Sequence, residues 1–344
     1  MKNENCVILK PNIKCKEIVV LDILKMFLAI LVLLRHCGQA FYSENSIYVN
    51  LITNAISTIA VPTFFVISGF LLWRKEVDKN RVWRQAKRLF KLYVIWCIIY
   101  LPLQIKSIMS MSERVVECVF IYIQRFFFDG GFYHLWFLPA LIFSLFFVYY
   151  LEKKLPKLSL PLVIGLYIVG VLVDTYIRFI PALQLIFVPY KQLFLTTRNG
   201  FFCGSVFVLL GKKLAEKKDI KICKFKNLIL WGISAVFLLV IESYIVKDNS
   251  VVNMYFSNIM LAPILVVIAI KLSKKGNKIF SFFRNISTIL FCVHPAVISL
   301  WCVLIKNIII LPMISTVIVL IISVILSCAI WVLSKKIFFL NNLM

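Results

Sequence analysis

The sequence predicts an all-α polytopic membrane protein with about ten transmembrane helices and both termini in the cytoplasm. Its composition is the first reason: 62% of the 344 residues are hydrophobic and the mean hydropathy is +0.94. Soluble domains rarely approach these values, because they must cover their core with polar residues. The second reason is that the apolar residues form runs long enough, or nearly so, to cross a bilayer. We place these runs at 19–37, 51–73, 89–105, 135–151, 158–177, 200–214, 228–246, 253–270, 286–305 and 308–334.

The distribution of basic residues is the third reason. Of the 39 Lys and Arg residues, 29 lie in alternate segments of the chain, at 1–18, 74–91, 152–157, 212–226, 271–285 and 335–336. Eight lie in the segments on the opposite side, and two lie within the first span. Cytoplasmic loops carry an excess of Lys and Arg, so this alternation predicts that both termini lie in the cytoplasm. We expect the protein in the plasma membrane. The net charge of +24 does not indicate nucleic acid, because no separate basic domain exists for a duplex to bind.

The chain is expected to form one membrane domain over residues 1–344, with its helices between about 19 and 334. The first run is too long and too charged for a cleaved signal peptide. We expect no appended soluble domain, because only a short tail follows the last run.

The first span carries charges where a membrane helix normally has none: Asp22, Lys25, Arg35 and His36. Each ionised group at membrane depth costs a few kcal/mol and therefore indicates a partner, a cavity or a function. Lys25 and His36 are eleven residues apart, which places them on nearly the same helix face, about 16 Å apart along the axis. They can therefore line one passage, with Asp22 available to pair with Lys25. Alternatively, His36 is a polar helix end at the headgroup level and Lys25 extends toward the cytoplasm.

The second and third spans contribute a small-residue site and a basic row. Ser68 and Gly69 lie in an apolar helix and allow a neighbouring backbone to approach closely. Arg81, Arg84 and Arg88 precede the third span at spacings of three and four residues, so they share one helix face. Such a row can bind a phosphorylated donor, or it can serve as an orientation signal that contacts anionic lipid.

Three further positions carry candidate chemistry. His134 lies at the outer end of the fourth span beside Tyr133 and Trp136, where it either belongs to an interfacial aromatic belt or faces His36. Arg198 begins the sixth span on the outer side. His294 precedes Pro295 inside an apolar helix, where proline commonly produces a kink beside a cavity. No metal site is predicted, because the three histidines show no ligand spacing.

Together these segments resemble the integral-membrane acyltransferases of acyltransferase family 3, in the family's order from about residue 18 to 334. The segments are LDILKMFLAILVLLRH, VPTFFVISGFLL, RQAKRLFKLYVIW, HLWFLPALI, TRNGFFCGSVFVLLG and STILFCVHP. The resemblance implies a cytoplasmic acyl-CoA donor, usually acetyl-CoA, and a hydroxyl acceptor on an extracytoplasmic glycan or another envelope molecule. It matches the family's basic residue and His, eleven positions apart, to Lys25 and His36. Lys25 departs from the more usual Arg and loses its bidentate geometry.

The resemblance also suggests a mechanism. The CoA phosphates bind around Arg81, Arg84 and Arg88, and the pantetheine arm passes Lys25. His36 acts as general base toward the acceptor hydroxyl. Candidates for stabilising the oxyanion are Arg198, His134 and Arg35.

Two other functions remain open at this level. A polytopic transporter or lipid-linked glycan flippase also has many helices and buried charge. An inactive family member could act as a membrane sensor. The sequence does not identify the acceptor, the acyl chain length or the oligomeric state. It also leaves open whether transfer is direct or proceeds through an acyl-His or acyl-Ser intermediate.

Overall fold

The computed structural model describes residues 19–43, 46–110, 114–216, 224–246, 254–272, 281–336 and 343. Within these ranges the protein contains twelve α-helices and no strand, as expected for an all-α protein. The N-terminal basic segment 1–18, the predicted loop 247–252 and parts of the predicted loops 212–226 and 271–285 lie outside the described residues. The helices are α1 (Val19–Phe41), α2 (Ala60–Trp73), α3 (Lys79–Met109), α4 (Val115–Phe128), α5 (Phe137–Lys154), α6 (Ser159–Asp174), α7 (Pro181–Phe194), α8 (Ser205–Glu216), α9 (Phe225–Ile245), α10 (Asn258–Leu272), α11 (Ser281–Leu304) and α12 (Pro312–Ser334).

Each of the ten predicted spans overlaps one of these helices, although not all are long enough to cross a membrane alone. By length and composition, five described helical segments qualify: Val49–Trp73, Lys79–Met109, Phe225–Ile245, Phe282–Leu304 and Pro312–Ser334. The helices α6 and α10 are apolar but shorter. Several apolar helices of membrane-spanning length are thus present, whereas the number ten and the cytoplasmic termini stay predictions.

Two helices were not predicted, because they lie in segments expected to be outer loops. Helix α4 has no buried residue, and α7 is exposed along most of its length. Gln124 of α4 donates from Nε2 to the carbonyl oxygens of Gln192 and Leu193 in α7, at 2.6 and 2.8 Å. Both helices are 14 residues long and amphipathic, so neither provides the long apolar run that marks a span.

Glycines bring α2 and α8 into close contact, which confirms the close approach expected at Gly69. A Cβ on Gly69 would lie 2.3 Å from the carbonyl oxygen of Val208, and one on Gly211 would lie 2.2 Å from that of Val66. Only glycine allows the two backbones to approach this closely. The predicted sixth span, residues 200–214, begins with a π-helical turn, Gly200–Gly204, and continues into α8.

A side chain from α3 enters the backbone hydrogen-bond ladder of α11 beside a proline. Pro295 lies inside α11, and the hydroxyl of Tyr100 inserts into the helix one residue later. This hydroxyl accepts from the N–H of Ala296 at 3.1 Å and donates to the carbonyl of Cys292 at 2.6 Å. It thereby satisfies backbone groups beside the proline. His294 lies between these two positions, and α11 packs against α1, which carries His36.

Candidate active site

The predicted arginine row lines a cavity of about 670 Å³, here called the basic cavity. Such a volume is within the usual range for small-molecule and cofactor sites. Its cationic wall consists of Lys25, Lys75, Arg81, Arg84, Arg88 and Arg284. The remaining wall is mainly apolar, with Ser68, Gln85, Ser287 and Thr288 as polar members. The structure therefore brings Lys25 to the same cavity as the row.

The local sequence explains how the row is presented. Asp78 caps the N-terminus of α3, because its carboxylate accepts from the backbone N–H of Arg81 at 2.9 Å. The helix begins at Lys79, so Arg81, Arg84 and Arg88 follow on successive turns of one face.

The sequence analysis missed Arg284, which adds a cation from α11. It belongs to a basic segment interpreted as an orientation signal, and nothing in its spacing sets it apart. The fold alone places it at the cavity.

Lys25 forms the ion pair that its spacing from Asp22 allowed. The Nζ–Oδ1 distance is 3.2 Å, and the two side chains are 15% and 12% exposed, respectively. An unpaired charge would be costly in this position. The carboxylate therefore stabilises an ammonium group that also borders the basic cavity.

All three histidines of the chain lie together at a second cavity of about 410 Å³, here called the histidine cavity. His36 and His134 line it, and His294 is fully buried behind them. The ring centroids of His36 and His294 are 5.3 Å apart in a stacked arrangement. Those of His134 and His294 are 5.6 Å apart. Among the described residues no group of three His, Cys, Asp or Glu side chains is arranged as a metal site.

Hydrogen bonds fix the orientation of two of the imidazoles. Nδ1 of His36 lies 3.1 Å from Oε1 of Gln39, and Nδ1 of His294 lies 3.0 Å from the carbonyl oxygen of Leu290. Both partners are oxygen atoms that accept, which favours the tautomer with the proton on Nδ1 and a lone pair on Nε2. A ring held in this way presents Nε2 as a base, the arrangement used by general-base histidines. Sequence analysis missed Gln39, although its position three residues after His36 places it on the same helix face.

The two arginines proposed as oxyanion partners also line the histidine cavity. Arg198 pairs with Asp129, with an Nη2–Oδ1 distance of 3.1 Å, and its guanidinium carbon lies 4.9 Å from the centroid of the Trp136 ring. Arg35 donates to the carbonyl oxygen of Thr53 at 2.7 Å. Both cations are thus held at the cavity wall rather than extended to solvent.

The two cavities differ from the single passage expected from Lys25 and His36. Lys25 lines the basic cavity and His36 the histidine cavity, and the lining residue common to both is Phe291. Helix α1 therefore contributes side chains to both cavities. The spacing of Lys25 and His36 along α1 was sufficient to predict that both residues line cavities. It did not predict that the ring of Phe291 lies between those cavities.

The described residues form helices, five of them long and apolar enough to cross a membrane, around two cavities that carry basic and histidine side chains. The profile of acyltransferase family 3, described as an acyltransferase domain, matches residues 18–332. The chain therefore belongs to acyltransferase family 3, a membrane-associated family with an acyl donor and a hydroxyl acceptor.

Comparison with known proteins finds relatives that are named as racemases rather than acyltransferases. The chain is 29% identical to two amino-acid racemases of Enterococcus faecalis, over 205 and 235 residues, which are 58% and 63% of this chain. It is also 29% identical to a serine/alanine racemase of Enterococcus gallinarum, over 239 residues or 65% of the chain. The matched regions are 28–33% of those proteins, so the chain spans about a third of their length. No solved structure is significantly similar to the chain.

Proposed function

We propose that this protein is a plasma-membrane O-acyltransferase. It moves an acyl group, by default acetyl, from cytoplasmic acyl-CoA to a hydroxyl of an extracytoplasmic glycan or other envelope acceptor. The observation that carries this proposal is the pairing of a basic cavity with a histidine cavity inside a chain matched over nearly its whole length by an acyltransferase family. Each cavity suits one substrate of a transfer reaction.

The donor binds in the basic cavity, which faces the cytoplasm in the predicted ten-helix topology. Acyl-CoA carries phosphate groups at one end and a thioester at the other, joined by a long, largely neutral arm. Guanidinium groups match phosphate geometry, so Arg81, Arg84 and Arg88 hold the nucleotide end. Lys25 lies deeper and contacts the pantetheine arm on its way to Phe291.

The acceptor hydroxyl enters the histidine cavity from the outer side. Nε2 of His36 removes the hydroxyl proton while the oxygen attacks the thioester carbonyl. The C–O bond forms, the C–S bond breaks, and the proton passes from His36 to the departing CoA thiolate. Gln39 holds His36 in the required tautomer throughout.

The negative charge that develops on the carbonyl oxygen needs a fixed donor or cation nearby. Arg198 is the first choice, because Asp129 and Trp136 fix its position at the cavity wall. His134 and Arg35 line the same cavity and are the further candidates.

The racemase activity named for the relatives is not carried over to this chain. The matched regions cover about a third of those proteins, and the family profile covers nearly all of this chain. The likeness therefore concerns only part of those proteins.

Direct binding of the donor tests the proposal. Purified protein in lipid nanodiscs is titrated with labelled acetyl-CoA, and wild type is compared with the double variant Arg84→Gln/Arg88→Gln. Arg114→Gln is the matched control, because this arginine side chain is 81% exposed and lies outside the cavity. We expect saturable binding by wild type and by the control, and at least tenfold weaker binding by the double variant. Absence of binding by wild type, or equal binding by all three proteins, would refute the donor assignment.

A further inference from the structure

Three phenylalanine rings from three helices meet where the two cavities approach each other. Phe64 belongs to α2, Phe137 to α5 and Phe291 to α11. The centroid distances are 5.9 Å between Phe64 and Phe137, 6.3 Å between Phe64 and Phe291, and 5.9 Å between Phe137 and Phe291. Each ring thus contacts the other two, and the three form a closed group, here called the phenylalanine triangle.

The triangle borders the basic cavity on one side and the histidines on the other. All three rings line the basic cavity, and Phe291 also lines the histidine cavity. The Phe291 centroid lies 5.7 Å from that of His134 and 6.3 Å from that of His294. Phe291 is only 7% exposed, so most of its ring surface packs against neighbouring side chains where the two cavities approach each other.

We propose that the phenylalanine triangle is the acyl-selectivity site of the enzyme, with Phe291 as its principal member. This inference rests on the proposed function. The acyl carbon must leave sulfur in the basic cavity and bond to oxygen in the histidine cavity, so the acyl chain lies against these rings during transfer. A two-carbon group needs only a small displacement of the ring edge. A four-carbon or six-carbon chain needs volume that the rings themselves occupy.

The size of the effect follows from apolar packing. Interiors are close-packed, so an acyl chain that must displace the contacting rings to reach the histidine cavity meets a penalty that grows with each added methylene. One methylene group in an apolar pocket typically changes discrimination between substrates by about 10- to 200-fold. Shortening Phe291 should therefore relax the preference for acetyl over butyryl by at least tenfold.

The experiment measures acyl choice in competition. Membranes of a deletion strain that express wild type, Phe291→Leu or Phe291→Ala receive equimolar acetyl-CoA and butyryl-CoA. The base-labile acetate and butyrate on the envelope fraction are then quantified by mass spectrometry. Calorimetric affinities of the purified proteins for both thioesters give a second readout that does not need an acceptor. Phe207→Leu is the matched control, because Phe207 is fully buried against Tyr167 and lies outside both cavity walls.

We expect the butyrate-to-acetate ratio to rise at least tenfold in Phe291→Leu and further in Phe291→Ala, with no change in the control. If wild type transfers acetyl and the Phe291→Leu ratio stays within twofold of wild type, the selectivity role is refuted while the proposed function stands. An equal rise in Phe207→Leu also refutes it, because general loosening of the core would then be the cause. If wild type binds neither thioester, the proposed function fails and this inference fails with it.

Discussion

Replacing Lys25 separates its structural role from its role in donor binding. Lys25 and Asp22 form an ion pair with an N–O distance of 3.2 Å, and their side chains are only 15% and 12% exposed. Removing one partner of a buried pair leaves an uncompensated charge and typically costs about 3–5 kcal/mol. We therefore expect Lys25→Met to be strongly destabilised. The double variant Asp22→Asn/Lys25→Met removes both charges and should recover most of that stability.

Donor binding should respond differently in the double variant. A hydrogen bond from a charged group contributes about 1.5–3 kcal/mol, which corresponds to roughly a ten- to hundredfold loss of affinity. The double variant should thus fold like wild type but bind CoA more weakly by this factor. Thermal unfolding followed by fluorescence gives the stability, and calorimetry with unlabelled CoA gives the affinity.

A surface pair of the same spacing provides the control. Arg114 and Glu117 are 3.1 Å apart with side chains 81% and 51% exposed, and exposed pairs contribute about 0–1 kcal/mol. Arg114→Met should change neither quantity appreciably. Wild-type CoA affinity in a well-folded Asp22→Asn/Lys25→Met protein would refute the assignment of Lys25 to the donor path.

Three further variants test the site and the fold. Gln39→Leu removes the hydrogen bond that fixes the tautomer of His36. We expect kcat to fall roughly two- to tenfold, which corresponds to a loss of about 0.5–1.5 kcal/mol, and the donor KM to stay unchanged. A changed KM with a constant kcat would contradict this role. Arg198→Gln should lower kcat by about a hundredfold if the guanidinium stabilises the oxyanion, and steady-state rates at saturating acetyl-CoA measure this. Gly69→Val should destabilise the protein by several kcal/mol, because its Cβ would lie 2.3 Å from a backbone oxygen of α8. Gly165→Ala, whose Cβ would meet nothing within 4 Å, should unfold at or slightly above the wild-type temperature, because alanine favours a helix interior over glycine.

Local spacing was sufficient to predict those parts of the site that lie within one helix. The three-and-four spacing of Arg81, Arg84 and Arg88 predicted their common face, and all three line one cavity. The eleven-residue interval between Lys25 and His36 likewise predicted a shared helix face, although the two residues reach different cavities.

Contacts between distant segments could not be predicted in this way. The stacking of His36 on His294 and the closure of the phenylalanine triangle depend on how α1, α2, α5 and α11 pack. Hydropathy does not encode that packing, because every one of these helices is apolar. Arg284 was not predicted because its position at the basic cavity also depends on how α11 packs. The amphipathic helices α4 and α7 were missed because a search for long apolar runs passes over short helices.

The central claim is that His36 performs the transfer while the basic cavity holds the donor, and His36→Gln tests it most directly. Purified wild type and His36→Gln are compared for acetyl-CoA affinity and for transfer of labelled acetyl to the envelope fraction, at equal amounts of folded protein. We expect unchanged affinity and a transfer rate reduced by about 10²–10⁴-fold, the usual contribution of a general base. Transfer at the wild-type rate by His36→Gln would contradict the mechanism.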